Sequence, residues 1–219
     1  MPSVPDRLPI TPQLMESGVV AILRAPSDRR LERVSHALGE AGVTCLELTL
    51  TTPGAVDALA RVRAELHRDV ALGMGSVIDA DQAAACLEAG ADFLVSPGVC
   101  AEVAVYAAEH AVACYPGGWT PTELLEAWRL GAPAVKLFPA ASGGPRHLEN
   151  VRAPLPHIPL VPTGGVALDQ IADYIAAGAV AVGLGGPLVG DALDGGSLTA
   201  LADRARTALE AVRAGRDRR

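Results

Sequence analysis

The chain has 219 residues, half of them hydrophobic but only 3% aromatic, so its core must be built from Ala, Val and Leu. A formal net charge of −7 argues against a nucleic-acid or anionic-membrane partner. No apolar run approaches the ~20 residues of a membrane span, and Met1–Ile10 lacks the basic and apolar blocks of a signal peptide, so a cytoplasmic protein is expected.

After a lead-in over residues 1–17, strand-like apolar runs recur in order. They are Val19–Arg24, Cys45–Leu50, Val70–Gly75, Asp92–Ser96, Val112–Tyr115, Ala134–Phe138, Ile158–Pro162 and Ala179–Leu184. Helix-like stretches rich in Ala, Leu, Glu and Arg lie between them, such as Asp28–Ala41, Pro53–His67 and Asp79–Ala89. Gly42, Gly90 and Gly178 follow helix ends, where glycine takes the left-handed cap cheaply. Thr120-Pro121-Thr122-Glu123 reads as a capping box with proline at the first helical position. Parallel strands joined by crossover helices follow from this alternation, and eight is the number that closes a barrel. The predicted fold is α/β, a single (β/α)8 TIM barrel over residues 1–219, with an open doubly wound sheet as its rival. The last helix is expected over Ser197–Ala214, and residues 213–219 as a frayed, solvated tail.

The active site of such a barrel lies at the C-terminal strand ends. Those ends carry Arg24; Glu47 with Thr49 and Thr51; Gly73–Ser76; Ser96-Pro97-Gly98; and Pro116–Trp119. Lys136 with Phe138, Thr163-Gly164-Gly165 and Gly183–Gly186 complete the set. Lys136 is the only lysine, against seventeen arginines, and it sits inside the apolar run Ala134–Phe138. Strand alternation turns Ala134, Lys136 and Phe138 to one face and Val135 and Leu137 to the other, so the amine points into the barrel. Burial there favours the neutral amine, a nucleophile toward carbonyls, whose iminium is an electron sink for carbon–carbon cleavage. Cys45, Glu47 and Thr49 share the inward face of their strand, which makes Glu47 the matching proton carrier or, in a purely structural role, the lysine's counter-ion. Thr163–Val166 and Gly183–Gly186 follow the seventh and eighth strands, the usual phosphate position of barrels, and tight turn geometry is their simpler explanation. Arg24 could add a charge-assisted contact to phosphate or carboxylate. The four cysteines and five histidines are scattered without metal-ligand spacing, so the cysteines read as buried, reduced thiols and no metal is assigned.

Taken in order, these segments resemble the 2-keto-3-deoxy-6-phosphogluconate / 4-hydroxy-2-oxoglutarate aldolase family. The likeness runs from Val19–Arg24 through Leu46–Thr49, Gly73–Val77, Ser96–Gly98, Thr120–Glu123 and Val135–Ala140 to Pro162–Val166 and Gly183–Gly186. The resemblance implies a class I aldolase that cleaves a 2-keto acid to pyruvate and an aldehyde, with Lys136 as Schiff-base lysine and Glu47 as proton shuttle. It implies that Ser76 and the adjoining Gly75 bind the pyruvyl carboxylate, and that Pro97 and Phe138 pack on the pyruvyl group. Arg24 and the Thr163, Gly164, Gly165 turn would hold the distal end, with Gly185 and Gly186 beside it. No cofactor or metal is implied, the partners are small molecules, and the assembly is a homotrimer. Three departures stand out: Thr51 where well-known members carry arginine, Pro187 where a phosphate-contacting serine is usual, and a bulky Trp119. They lead to the expectation that cleavage is retained while the distal substrate group differs. The competing readings are a phosphate-binding barrel isomerase using Glu47 as base and a catalytically silent keto-acid-binding barrel.

Overall fold

The computed structural model describes residues 7–219; residues 1–6 of the expected lead-in lie outside the described residues. Nine short strands form: β1 Val19–Leu23, β2 Cys45–Thr49, β3 Ala71–Gly75, β4 Phe93–Val95, β5 Ala113–Tyr115, β6 Gly117–Gly118, β7 Val135–Leu137, β8 Leu160–Pro162 and β9 Val182–Leu184. All pair in parallel. They make a six-stranded sheet in the order β5-β4-β3-β2-β1-β9 and a three-stranded sheet β6-β7-β8. The strand order never reverses direction, which separates it from a doubly wound sheet.

One strand was not expected: Gly117–Gly118 pairs as β6 beyond the end of the expected Val112–Tyr115. Pro116 stands between β5 and β6 and has no N–H to give to a ladder. Its carbonyl accepts from Lys136 N at 3.0 Å, so Pro116 is hydrogen-bonded to the second sheet. At the other junction Thr163 bridges Gly183, and Val180 N donates to the Leu160 carbonyl at 3.0 Å.

Period-two alternation sorts the strand residues into two buried layers. Val19, Ala21, Leu23, Leu46, Leu48, Leu72, Met74, Val135, Leu137, Val182 and Leu184 belong to the core beneath the helices. Val20, Cys45, Phe93, Val95, Tyr115, Ala134 and Val161 pack together on the inner side, with Leu14 from the short helix Pro12–Ser17 beneath them. The helices present matching stripes: Leu31, Val34, Ser35 and Leu38 are buried at helical spacing on Leu31–Glu40. The capping box at Thr120–Glu123 forms, and Gly42, Gly90 and Gly178 take positive φ after their helices. Cys45, Cys86 and Cys114 are buried thiols, the latter two pushed up to about 12 by desolvation, whereas Cys100 is only half-buried. Among the described residues no helix is long and apolar enough to cross a membrane.

The C-terminus departs from the sequence expectation of a frayed tail. The last helix runs from Leu198 to Asp217, and Val212 and Gly215 are buried on it. Arg216 donates to the carbonyls of Met15 and Glu16, and Arg219 to those of Ile175 and Ala179. A run of arginine reads as solvated by composition, but guanidinium forks also bind carbonyls at helix ends. Deleting residues 213–219 is expected to cost about 1–3 kcal/mol and to lower Tm by roughly 2–10 °C in a thermal melt. An unchanged Tm would restore the frayed tail.

Candidate active site

Two strands bring opposite charges to one interior. Glu47, in the middle of β2, sits in register between Ile22 of β1 and Gly73 of β3. Lys136, in the middle of β7, sits between Gly117 of β6 and Val161 of β8. Their flanking residues Leu46, Leu48, Val135 and Leu137 are buried in the outer layer, which fixes both polar side chains inward. Glu47 is 2% exposed and Lys136 9%. Among the described residues neither head group is occupied by a side-chain hydrogen bond or an ion pair, so both remain available to a third molecule.

Burial raises the Glu47 pKa above the usual carboxylate range; Lys136 and then Arg24 pull the other way without winning. A carboxyl held nearer neutrality can both take and return a proton. The space it needs comes from β3. Any Cβ at Gly75 would run into Oε1 of Glu47, and one at Gly73 would run into the Phe93 ring.

A cavity of about 300 Å³ opens over this pair. Glu47, Lys136, Arg24 and Phe138 line it on one side, and Thr163, Gly164 and Gly165 continue the wall. Gly185, Gly186 and Pro187 close it after β9. The Phe138 ring centroid lies 5.1 Å from Lys136 Nζ, and the positive-φ Gly164 gives that ring room. Thr163 donates to its own strand through Val161 O at 3.1 Å, and Gly183, without a side chain, admits its hydroxyl. A larger groove of about 460 Å³ lies at the other ends of the strands, between the last helix and Gly42–Thr44; it contains neither Glu47 nor Lys136.

Other expected site residues fall outside this lining. Thr49 is fully buried, its hydroxyl 3.4 Å from Leu23 O and 3.1 Å from the Thr51 hydroxyl, so it ties β1 to β2. Thr51 is on the exposed turn above it. Ser76 follows Gly75 with φ 65, a left-handed conformation unusual for serine, and meets Arg24 Nη2 at 3.5 Å. Pro97 is exposed beyond β4, its carbonyl against Gly117. Trp119, expected to narrow the pocket, stacks on His147 at 4.0 Å and donates through its indole N–H to Pro139 O. Its ring is therefore committed to the loop after β7 rather than to the cavity wall.

Sequence reasoning missed the far wall: Val189, Gly190, Leu193 and Asp194 also line the cavity. They belong to neither a strand end nor a recognisable motif, and only the folding-back of the segment after β9 brings them in. Among the described residues no cluster of His, Cys, Asp and Glu could hold a metal ion.

The arrangement offers a buried amine, an acid of raised pKa and room for a small polar molecule, which suits imine formation with a carbonyl and proton transfer beside it. Two variants test it. Gly75→Ala is expected to keep the far-UV spectrum while displacing Glu47 and lowering kcat/KM by about 10²-fold. For Glu47, a raised folded pKa means the native chain holds a proton that the unfolded chain has released. Its contribution to stability is then full below the unfolded value and is lost as pH rises through the folded one. Glu47→Gln should melt higher than wild type at neutral pH, with the gap closing toward about pH 4, even as turnover is lost; an equal gap at both would refute the assignment.

The family model for KDPG and KHG aldolase matches residues 10–201. The chain is 36% identical over 162 residues to a 2-dehydro-3-deoxy-phosphogluconate aldolase of Pseudomonas aeruginosa, covering 74% of this chain and 73% of that protein. Among solved structures, a 4-hydroxy-2-oxoglutarate / 2-dehydro-3-deoxyphosphogluconate aldolase from TTHB1 is 36% identical with TM-score 0.81, covering 91% of this chain and 96% of that one. A KDPG aldolase of Legionella pneumophila, solved with pyruvate captured as a covalent carbinolamine, is 26% identical with TM-score 0.80, covering 90% of this chain and 97% of that one.

Proposed function

Because the chain belongs to the KDPG and KHG aldolase family and is a class I aldolase, we propose that Lys136 is its Schiff-base lysine and Glu47 its proton carrier. The observation that carries this reading is the pair itself: a buried amine and a buried carboxyl of raised pKa facing one cavity.

The enzyme cleaves a 2-keto-3-deoxy sugar acid of the 6-phosphogluconate type, or 4-hydroxy-2-oxoglutarate, to pyruvate and an aldehyde. In the proposed steps Nζ of Lys136 attacks the keto carbon. Proton transfers through Glu47 then expel water from the carbinolamine and leave an iminium. Glu47 next takes the proton of the hydroxyl two carbons away. The bond from the hydroxyl-bearing carbon to the carbon next to the iminium breaks, its electron pair moves into the iminium to form an enamine, and the new carbonyl departs as the aldehyde. Protonated Glu47 returns its proton to the enamine carbon, and water releases pyruvate. Every proton and electron pair is accounted for by substrate, water and these two side chains, so no cofactor or metal enters the scheme.

The remaining roles are part of the same proposal. Ser76 and Gly75 receive the pyruvyl carboxylate, a role supported by the left-handed Ser76 and by Arg24 within 3.5 Å of it. Phe138 and Pro97 cover the pyruvyl methyl. Thr163, Gly164, Gly165, Gly185 and Gly186 line the path of the substrate tail, with Thr49 and Thr51 supporting the β1 and β2 ends. Residues 1–219 form one domain in this reading, and its two sheets are arcs of one closed (β/α)8 barrel. The Thr163–Gly183 bridge and the single residue Pro116 between β5 and β6 support that closure. The assembly is read as a cytoplasmic homotrimer, for which exposed Ile78 (52%) and Val105 (49%) supply apolar surface.

Incubation with pyruvate, borohydride reduction and peptide mass spectrometry test the central claim. A reduced adduct is expected on Lys136 in the wild type and none in Lys136→Ala, whose turnover should fall by about 10³-fold or more. A folded wild-type protein without an adduct would refute the Schiff-base role.

A further inference from the structure

We propose that Trp119 and His147 are positioning residues for the pyruvyl half of the reaction. Stacked on each other outside the cavity, they fix the Phe138–Pro139 end of β7 and with it the ring beside the reactive amine. The proposal rests on Lys136 as the point of covalent attachment and on Phe138 as the cover of the pyruvyl group.

The main-chain link between β6 and β7 stops just short of the place where it is needed. Lys136 N donates to Pro116 O and Phe138 N to Gly118 O, each at 3.0 Å. β6 then ends, because the backbone N–H groups of Trp119 and Thr120 turn to Oε2 of Glu123, at 2.9 and 2.7 Å. The Pro139 carbonyl is taken up instead by the Trp119 indole N–H at 3.1 Å. A side chain thus carries the connection one residue past the end of the ladder.

A half-buried indole does not hold such a bond well by itself, since its two torsions stay soft. His147 removes that freedom. Its ring lies 4.0 Å from the Trp119 ring with the planes 13° apart, and its Nε2–H donates to Trp119 O at 3.0 Å. His147 is seated on the helix Gly144–Arg152, which is anchored through buried Leu148 and Val151. Gly143 leaves it room, for a Cβ there would run into that of His147. Trp119 is therefore gripped through its backbone by Glu123 and through its ring and carbonyl by His147.

What the clamp holds is the segment next to the chemistry. The Phe138 ring centroid stands 5.1 Å from Lys136 Nζ and rests over Gly164 on its other side. Movement of Pro139 shifts this ring relative to the amine, and a misplacement of about 1 Å at a reacting centre can cost about 10²-fold in rate.

Exchange of the pyruvate methyl hydrogens in D2O, followed by NMR, isolates the pyruvyl half. It requires an imine at Lys136, an enamine formed through Glu47 and reprotonation, with no aldehyde or substrate tail present. At saturating pyruvate, Trp119→Ala is expected to slow exchange by about tenfold. Trp119→Phe, which keeps a ring for His147 but has no indole N–H, should slow it by about threefold with a Tm near that of wild type. His147→Ala should fall in the same range, and the double variant Trp119→Ala/His147→Ala should be no slower than Trp119→Ala, as two residues acting through one contact require. Wild-type exchange rates in folded Trp119→Phe and His147→Ala overturn the proposal, and so does a multiplicative loss in the double variant. Slower sugar-acid cleavage with unchanged exchange also overturns it, returning Trp119 to the tail end of the pocket. Borohydride trapping of pyruvate on the wild type separates the two claims. An adduct on Lys136 with exchange unmoved by the variants sinks the clamp alone, and no adduct sinks the reading beneath it as well.

Discussion

Everything about this molecule is arranged around two opposite charges taken out of water together. An isolated carboxylate or ammonium in an apolar interior is costly, and proteins relieve that cost by pairing, hydrogen bonding or neutralisation. Here Glu47 and Lys136 are nearly dry, and burial outweighs both nearby cations in setting the Glu47 pKa. Among the described residues the two make no salt bridge, and both face one cavity, where the proposed chemistry places a carbonyl compound. The surrounding sequence serves that state: β3 gives up two side chains at Gly73 and Gly75 so that Phe93 and Glu47 fit. The interior beneath is sealed by Leu14, Phe93, Val95 and Tyr115.

The inward placement of Glu47 and Lys136 was legible because it depends on period two. In Ala134–Phe138 and Cys45–Thr49 the apolar residues on odd or even positions declare the outer face, and the polar residue between them has nowhere to point but inward. Helix ends were legible for a similar reason, since a left-handed glycine or a capping box acts within four residues. The parallel α/β layout followed from counting such runs. What could not be read depended on contacts between distant segments. Thr49 has the alternation of an inward residue, but its hydroxyl turns to the Leu23 carbonyl. Trp119 looked like a pocket residue until His147, twenty-eight positions on, supplied a stacking partner. Asp194 carries no signal at all, because its place in the cavity wall is set by where the chain after β9 folds back.

Arginine use shows the same limit from another side. Seventeen arginines in a chain of net charge −7 read as solvated helix faces. Several instead grip main-chain carbonyls. Arg63 holds Val70, Leu66 and His67, Arg152 holds Ala177, and Arg204, Arg216 and Arg219 hold the segments already described. Arg7 donates to Ala132 and Trp128 carbonyls while its guanidinium lies 3.1 Å over the Trp128 ring. A planar fork of donors does this work better than an ammonium, and it keeps its charge at any pH a cell reaches.

That preference leaves a chain with a single side-chain amine. An enzyme that liberates aldehydes bathes itself in a reagent for glycation, since free sugars and short aldehydes condense slowly with surface lysines. This surface offers them no lysine; the one such amine lies at 9% exposure inside the cavity, where in the proposed mechanism condensation is the reaction itself. With guanidinium in its scaffold and its one lysine buried, the surface carries no lysine ammonium for an aldehyde product to attack.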